Sequence, residues 1–489
     1  MMAARFSSLP LEIGGTKHPW LAGVFLLGLC LLVLCAYRVY LHPLAHVPGP
    51  LAAKCSWLWL HYHAYVGDEC TRIRRLHEKY GPVVRVAPNE VDIADGGAIA
   101  PIYSAKTDLV KPPHYSKFAV DAHATVFSTL ETADRSARLR AVMPLFSASG
   151  VRESKAAIDD CVAEFVTLLK TQAESRQVVD VLNLAEAFAC DVTTAHLFGD
   201  SYGALKETVA PFSAAGYLDF FLSPGRFFYM PTATWAVLEW LAAVLFPNKH
   251  IEHSIVAVNS YLDRLLKSSK TKPSSYQGRL LSQGVPALET AAECKDSIFA
   301  GGYFIGVVVA RILWLLVRNP DRYAALRREL LDSKTSSDGG RINDQSLPYL
   351  QSVVKEGLRL SMPSPARLPR IVSTGGLVVQ GYRLPPGTNV GIAALQLHLN
   401  PDVFPEPEQF LPERWEHPTP EMRRDWVPFG MGVRSCIGRG LSNVVILEAI
   451  KAVVEADLLA GARAVQDKIE VKEWTISKLK EKEILLAWS

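Results

Sequence analysis

The chain has 489 residues, 49% of them hydrophobic and 21% charged, and its 52 basic and 49 acidic residues leave a net charge of +3. It is long enough for one large or two ordinary domains with a sizeable core, and it has no basic run or aromatic-basic interleaving that would mark a nucleic-acid partner. The eight cysteines (30, 35, 55, 70, 161, 190, 294 and 436) form no Cys-x-x-Cys pair, so a disulfide scaffold or zinc site is not expected and a reducing compartment fits.

From Trp20 to Tyr37 there is no charged residue. At ~1.5 Å per residue this run spans about 27 Å, and Val39 to Leu41 extend it past Arg38, which can snorkel. The run is long for a cleaved signal peptide, and Cys35-Ala36-Tyr37-Arg38 offers no small-x-small cleavage site. Flanking charge does not orient the anchor, because Arg5 and Lys17 balance Arg38 and Lys54. A proline-rich stretch follows, His42 to Pro50, which cannot continue a helix. The expected organisation is an N-terminal segment 1–19, a transmembrane anchor 20–41, a stiff hinge 42–50 and one large domain 51–489.

Residues 65–80 read as a helix ended by Gly81-Pro82, and 83–87 with 90–94 as an antiparallel pair around Pro88-Asn89. Residues 98–130 are irregular. Arg135 and Arg138, three apart, share a helical face followed by Arg140; a solvated basic face is the plain alternative. Residues 202–250 are aromatic and broken by loops, and 268–286 read as an exposed connection.

The stretch 297–317 is apolar on every side except at Arg311, which suits a buried core helix better than a second membrane span. Gly301, Gly302 and Gly306 each cost about 1 kcal/mol there relative to Ala, and something flat against that face would explain them. Farther on, Leu350, Val353, Val354, Gly357 and Leu358 form one apolar face with Glu356 and Arg359 off it. Strand-like runs occur at 377–380 and 390–395. His398 reads as a hydrogen-bonding loop residue rather than a ligand. The decisive stretch is Phe429-Gly430-Met431-Gly432-Val433-Arg434-Ser435-Cys436-Ile437-Gly438. A cysteine between glycines, two residues after an arginine, suits a thiolate lying close under a flat ligand with an anionic edge.

The pattern Phe-x-x-Gly-x-Arg-x-Cys-x-Gly resembles the haem-thiolate loop of the cytochrome P-450 family, in its microsomal, fungal-like form. Glu356-x-x-Arg359, Arg370 and Pro412-Glu413-Arg414-Trp415 stand at family spacing before it, so the resemblance covers about 38–489. It implies a mainly α fold with small β-sheets, the cytochrome P-450 fold, preceded by one N-terminal transmembrane helix. It also implies haem b with Cys436 as the axial iron ligand, and Arg434, Arg370, Arg135, Arg138 and Phe429 as haem-binding residues. Glu356, Arg359 and Arg414 would form the family's buried structural triad. The family's acid-alcohol pair on the helix over the haem is replaced: Tyr303 stands at the acid and Phe304 at the alcohol. A phenol is a poor proton relay, so usual proton delivery is in question.

The resemblance further implies electrons from NADPH through a separate cytochrome P-450 reductase and a single-pass anchor in the endoplasmic reticulum membrane with a cytosolic catalytic domain. The leading reading is a monooxygenase acting on a small apolar molecule in secondary-metabolite biosynthesis. The alternatives are a haem-thiolate enzyme that rearranges or dehydrates its substrate without a reductase, which Tyr303-Phe304 would suit, and a haem-binding protein without catalysis.

Overall fold

The computed structural model describes residues 19–104, 106–107, 109–268, 273–336 and 347–488. The expected segment 1–19 thus lies almost wholly outside the described residues. The chain is mainly helical, with one four-stranded sheet and three smaller ones among the described residues.

Helix α1 (Pro19–Ala36) runs into a single π-helical turn, Tyr37–Leu41. The stretch Ala22–Leu41 is long and apolar enough to cross a membrane, and none of it is buried. The segment expected to be a hinge is packed down. Leu44 and Val47 are fully buried, and the Arg85 amide donates to Pro48 O at 2.7 Å. The buried Arg85 guanidinium reaches Arg38 O at 2.8 Å and Pro88 O at 2.7 Å. Proline stops this segment from being helical; apolar burial and Arg85 stop it from being loose.

Strands β1 (Val83–Ala87) and β2 (Glu90–Ile93) pair antiparallel. With β3 (Arg370–Ile371) and β4 (Asn389–Gly391) they make a sheet of order β1-β2-β4-β3, in which β2 and β4 are parallel. This sheet carries Arg370. The expected strand 390–395 stops at Gly391, and Ala394–His398 turns into a short helix.

The core is built around helices α3 (Val181–Phe198) and α4 (Ala287–Arg318), with helix α2 (Thr132–Val142) ahead of them. Most of α4 is buried inside the domain, so its apolar surface is core rather than a second span. Gly301 and Gly306 are explained by a neighbouring helix, not by a flat ligand. A Cβ on Gly301 would fall 2.2 Å from Thr193 Oγ1, and one on Gly306 would fall 2.7 Å from the Glu186 Cα. Without side chains there, α3 lies almost in backbone contact with α4, and close packing offsets the propensity cost. The expected exposed connection 268–286 is likewise corrected in part. Tyr276–Ser282 is a helix, capped by the Ser275 hydroxyl on the Gly278 amide, with Tyr276, Gln277 and Leu280 buried. Residues 269–272 lie outside the described residues.

Helix α5 (Pro348–Ser361) carries the Glu356 and Arg359 pair. Both are fully buried, and the guanidinium grips the carboxylate at 2.9 and 2.8 Å. Arg414 Nε, Trp415 Nε1 and the Leu411 amide complete the donors to Glu356, at 3.0, 3.0 and 3.1 Å. Arg359 also donates to the carbonyls of His398 (2.7 Å) and Pro407 (2.6 Å). His398 Nε2 accepts the Val427 amide at 2.9 Å, so Nδ1 carries the proton it donates to Arg359 O at 3.1 Å. One continuous polar chain therefore runs from α5 to the residue two positions before Phe429. Helix α6 (Arg439–Glu455) follows the cysteine loop.

Candidate functional site

The loop between Val427 and α6 is shaped by its own backbone. The Cys436 amide donates to Phe429 O at 2.8 Å, and the Ser435 amide to Gly432 O at 3.0 Å. Gly432 has φ +64°, and a Cβ there would fall 1.9 Å from Tyr103 O, so only glycine fits. The ring of Phe429 packs edge-on against Trp426, with the Arg439 guanidinium 5.9 Å from its centroid. Phe429 thus holds the loop from behind as well as through its carbonyl.

The Cys436 side chain keeps accessible surface, yet the protein around it withdraws it from bulk water and pushes its thiol up. These two observations are reconciled if the sulfur opens on the interior of the fold, and the deep desolvation makes that the better description. The amides of Gly438 and Arg439, with the Arg439 charge, act in the opposite direction and favour the thiolate. That is the expected effect of a helix N-terminus on an anion.

Four cations gather beside this loop. Burial pushes the Lys111 ammonium well below its ordinary range, and the nearby Arg370, Arg434 and Arg135 push it further, with Asp296 opposing them. Lys111 lies over the rings of Tyr115 and Phe127, at 4.3 and 4.5 Å. Arg370 donates to Pro369 O (2.8 Å) and Arg434 to Thr129 O (2.8 Å). Arg135 is nine-tenths buried and has its own charge disfavoured by desolvation and by Arg370. None of Lys111, Arg135 and Arg370 has a carboxylate partner among the described residues. Like charges drawn together out of water are unfavourable unless an anion shares the site.

Sequence reasoning placed Arg138 in this group, and the structure puts it elsewhere. Its guanidinium pairs with Glu289 at 2.5 Å and Glu293 at 3.3 Å, both on α4. One turn of α2 separates it from Arg135, enough to direct the two side chains to different partners. Lys111 was missed: a lone lysine in an irregular, proline-flanked stretch gives no periodic signal.

On α4, Ser297, Ala300 and Phe304 keep accessible surface while their neighbours are buried, so one stripe of this core helix stays open. Phe304 lies on that stripe. Tyr303 does not: it is buried, and its hydroxyl donates to Ser477 O. Burial pushes its phenol up, with Glu186 and Asp219 adding to the rise and Arg311 opposing it. A phenol committed to a carbonyl is not placed as the expected acid substitute. Phe221, Phe299 and Tyr303 stack in sequence beside it, at 4.2 and 5.7 Å between centroids.

The family model for Cytochrome P450 matches residues 47–456. The chain belongs to the cytochrome P450 family. It is 35% identical to the cytochrome P450 monooxygenase mfmF of Annulohypoxylon moriforme, over 94% of this chain and 97% of that protein. It is 30% identical to the tryptophan 6-hydroxylase fscE of Fusarium equiseti, over 85% and 86% of the two chains. With the N-acetyltryptophan 6-hydroxylase ivoC of Emericella nidulans it shares 29% over 90% of each. This cytochrome P450 is accordingly an oxidoreductase, a monooxygenase with a haem-iron cofactor.

The residues present fit that cofactor. A sulfur with amides aimed at it, set apart from bulk water, suits an iron ligand, and a cluster of buried cations suits two carboxylates on a flat ring.

Proposed function

We propose that this cytochrome P450 hydroxylates, or otherwise oxidatively tailors, a small and largely apolar molecule in secondary-metabolite biosynthesis. Electrons come from NADPH through a separate cytochrome P450 reductase. The observation that carries the reading is the conjunction at the cysteine loop: an interior Cys436 sulfur on a loop whose Val433–Arg434 side gathers Arg135 and Arg370, with Lys111 among these cations. Cys436 would ligate the haem iron, and the four cations would hold its carboxylates. The haem supplies activation of dioxygen. The protein's own part is to hold the sulfur as thiolate, keep water from it, and bind the substrate against apolar walls. The relatives named for tryptophan and N-acetyltryptophan hydroxylation support a planar aromatic substrate. Rearrangement or dehydration without a reductase is not favoured, since these relatives are named monooxygenases and hydroxylases.

We further propose a single-pass anchor in the endoplasmic reticulum membrane with the catalytic domain in the cytosol. Support comes from the predominantly apolar run Ala22–Leu41, none of which is buried. Trp57, Leu58, Tyr62, Val237, Trp240 and Leu245 also expose apolar surface. Between residues 58–65 and 226–230 lies a groove of about 340 Å³, lined mostly by apolar surface, which suits entry of an apolar substrate.

The test is turnover of the full-length enzyme with reductase and NADPH, using tryptophan, N-acetyltryptophan and related aromatics first screened for a spin-state shift. Hydroxylated product formed in step with NADPH consumption supports the reading. Product formed equally well without reductase overturns it.

A further inference from the structure

Segment 121–130 lies between acids of α4 and two of the cations at the cysteine loop. It begins with a two-residue turn, in which Val120 and His123 exchange both backbone hydrogen bonds at 2.9 and 2.8 Å. Asp121 and Ala122 between them sit at φ +48° and +64°, a region uncommon for residues other than glycine. Lys295 of α4 holds this turn by pairing with Asp121 at 2.5 Å. The chain then closes on itself. The Thr129 amide and hydroxyl both donate to Thr125 O, at 2.9 and 2.6 Å, and the Thr125 amide donates to the Ser128 hydroxyl at 2.8 Å. Thr125, Val126, Ser128 and Thr129 are all buried, so these residues are held as one small knot.

The two sides of the knot meet opposite charges. Toward α4, the Val126 amide donates to Glu293 at 3.2 Å, and Asp296, one turn later, meets the Thr125 hydroxyl. Toward the cysteine loop, Phe127 O accepts from Lys111 at 2.5 Å and Thr129 O from Arg434 at 2.8 Å, while Leu130 O also accepts from Arg434. Glu293 is 1% exposed and is itself fixed, by Arg138 at 3.3 Å and by the Tyr276 hydroxyl at 3.4 Å. The acids thus reach Lys111 and Arg434 through a layer of peptide groups. A carbonyl orients an ammonium or a guanidinium without cancelling its charge, whereas a carboxylate in direct contact would compete with an anionic ligand.

We propose that Glu293 is a positioning residue for the haem: by gripping the Val126 amide it fixes segment 125–130, whose carbonyls aim Arg434, and beside it Lys111, at the carboxylates of the cofactor. This rests on the reading that those cations hold the haem carboxylates. Glu293 touches neither cation, so its effect passes through the segment alone. The same link joins the edge of the cofactor to the helix whose open stripe begins at Ser297, one turn beyond Glu293. It also gives Arg138 a place in the arrangement, as the counter-charge that lets a carboxylate stand buried behind the segment.

The test uses the full-length, haem-loaded chain. It reads transfer of haem to an acceptor protein and the bending band of the haem carboxylates in the resonance Raman spectrum. Arg434→Ala should speed transfer about tenfold, the scale of a lost charge-assisted hydrogen bond. Glu293→Ala should speed it about fivefold or more and shift the band. Glu289→Gln loosens the same Arg138 but touches no part of the segment, so its transfer rate and band should match wild type. In an Arg434→Ala background the effect of Glu293→Ala should shrink to about twofold, because the two act through one contact. Should Glu293→Ala take up no haem, the milder Asp121→Asn decides: it cuts the Lys295 tie at an exposed turn and should speed transfer about twofold. Retention of the red-shifted ferrous–carbon monoxide band shows that the thiolate ligand survives in each variant. Wild-type transfer and an unmoved band in Glu293→Ala overturn the proposal. Equal acceleration by Glu289→Gln, full additivity with Arg434→Ala, or, in the fallback, unchanged transfer in Asp121→Asn overturns it too. Wild-type transfer in Arg434→Ala instead removes the haem carboxylates from these cations, and the reading beneath the proposal is what fails.

Discussion

Replacing Glu356 by glutamine keeps the shape of the side chain and removes its charge. In the folded protein this carboxylate is fully buried and receives five hydrogen bonds: two from Arg359, and one each from Arg414, Trp415 and the Leu411 amide. An amide has one acceptor oxygen, and its NH2 faces donors, so at least two of the five are lost. Arg359, itself fully buried, then keeps its charge without a counter-charge. Breaking a buried pair from one side costs about 3–5 kcal/mol. An unfolding entropy of about 2.1 cal/mol/K per residue gives roughly 0.9 kcal/mol/K for a domain of about 440 residues, so the expected fall in Tm is about 3–6 °C. Because Arg359 and His398 connect α5 to Val427, the damage should reach the cysteine loop. The measurement is differential scanning calorimetry of the Glu356→Gln enzyme with its ferrous–carbon monoxide spectrum. A Tm within about 1 °C of wild type and an intact red-shifted band would refute the argument that this cluster holds the loop.

Three further outcomes are expected. Cys436→Ser should abolish the red-shifted ferrous–carbon monoxide band, and retention of that band would remove Cys436 as the axial ligand. Lys111→Met should leave the haem-free protein as stable as wild type or more so, because it relieves repulsion from Arg370, Arg434 and Arg135. It should also speed haem loss to an acceptor protein about tenfold, as a lost charge-assisted hydrogen bond implies. Unchanged haem loss would detach Lys111 from the cofactor. Burial, aided by the Arg359 charge, holds folded His398 down to about 3, whereas the unfolded imidazole titrates near 6.5. The unfolded chain therefore takes up a proton that the folded chain refuses, so stability from this group is complete above about pH 6.5 and falls as pH drops toward 3. The loss is about 1.4 kcal/mol per pH unit, or about 2 kcal/mol by pH 5. His398→Asn should flatten that acid limb in thermal denaturation, and parallel limbs for the two proteins would contradict the assignment.

Much of the proximal side was legible because short-range chemistry fixes it. A thiolate loop needs Gly432 at a left-handed φ, an arginine and the cysteine within a few residues, and all of them stand in one stretch. The Glu356-x-x-Arg359 spacing was equally visible. Its burial was implied only by the family resemblance, because residues three apart on a helix read the same at a surface. The open side was poorly legible for a different reason. Glu186 and Thr193 stand more than a hundred residues before Gly301 and Gly306, and only packing of α3 on α4 brings them there. The glycines were noticed, but a string of glycines does not say whether a ligand or a helix lies against it. Arg138 shows the same limit in reverse, since its partners Glu289 and Glu293 are also set by tertiary contact. Prolines in 42–50 suggested stiffness but not attachment, which depends on where Leu44 and Val47 are buried.

That attachment determines how the domain is carried. With Leu44 and Val47 buried, Arg38 donating to Cys55 O at 2.5 Å and Arg85 donating to Arg38 O, the base of the apolar helix and the catalytic domain form a rigid mount rather than a tether. In an anchored enzyme of this build, the angle between domain and bilayer is set by a few side chains around Arg85. The groove at residues 58–65 and 226–230 is thereby held in a constant pose relative to the base of the apolar helix. The choice of truncation point follows as well. A cut at residue 50 takes Arg38 O and Leu44 O from a fully buried guanidinium, whereas a cut ahead of Arg38 leaves the mount whole and removes only the exposed helix.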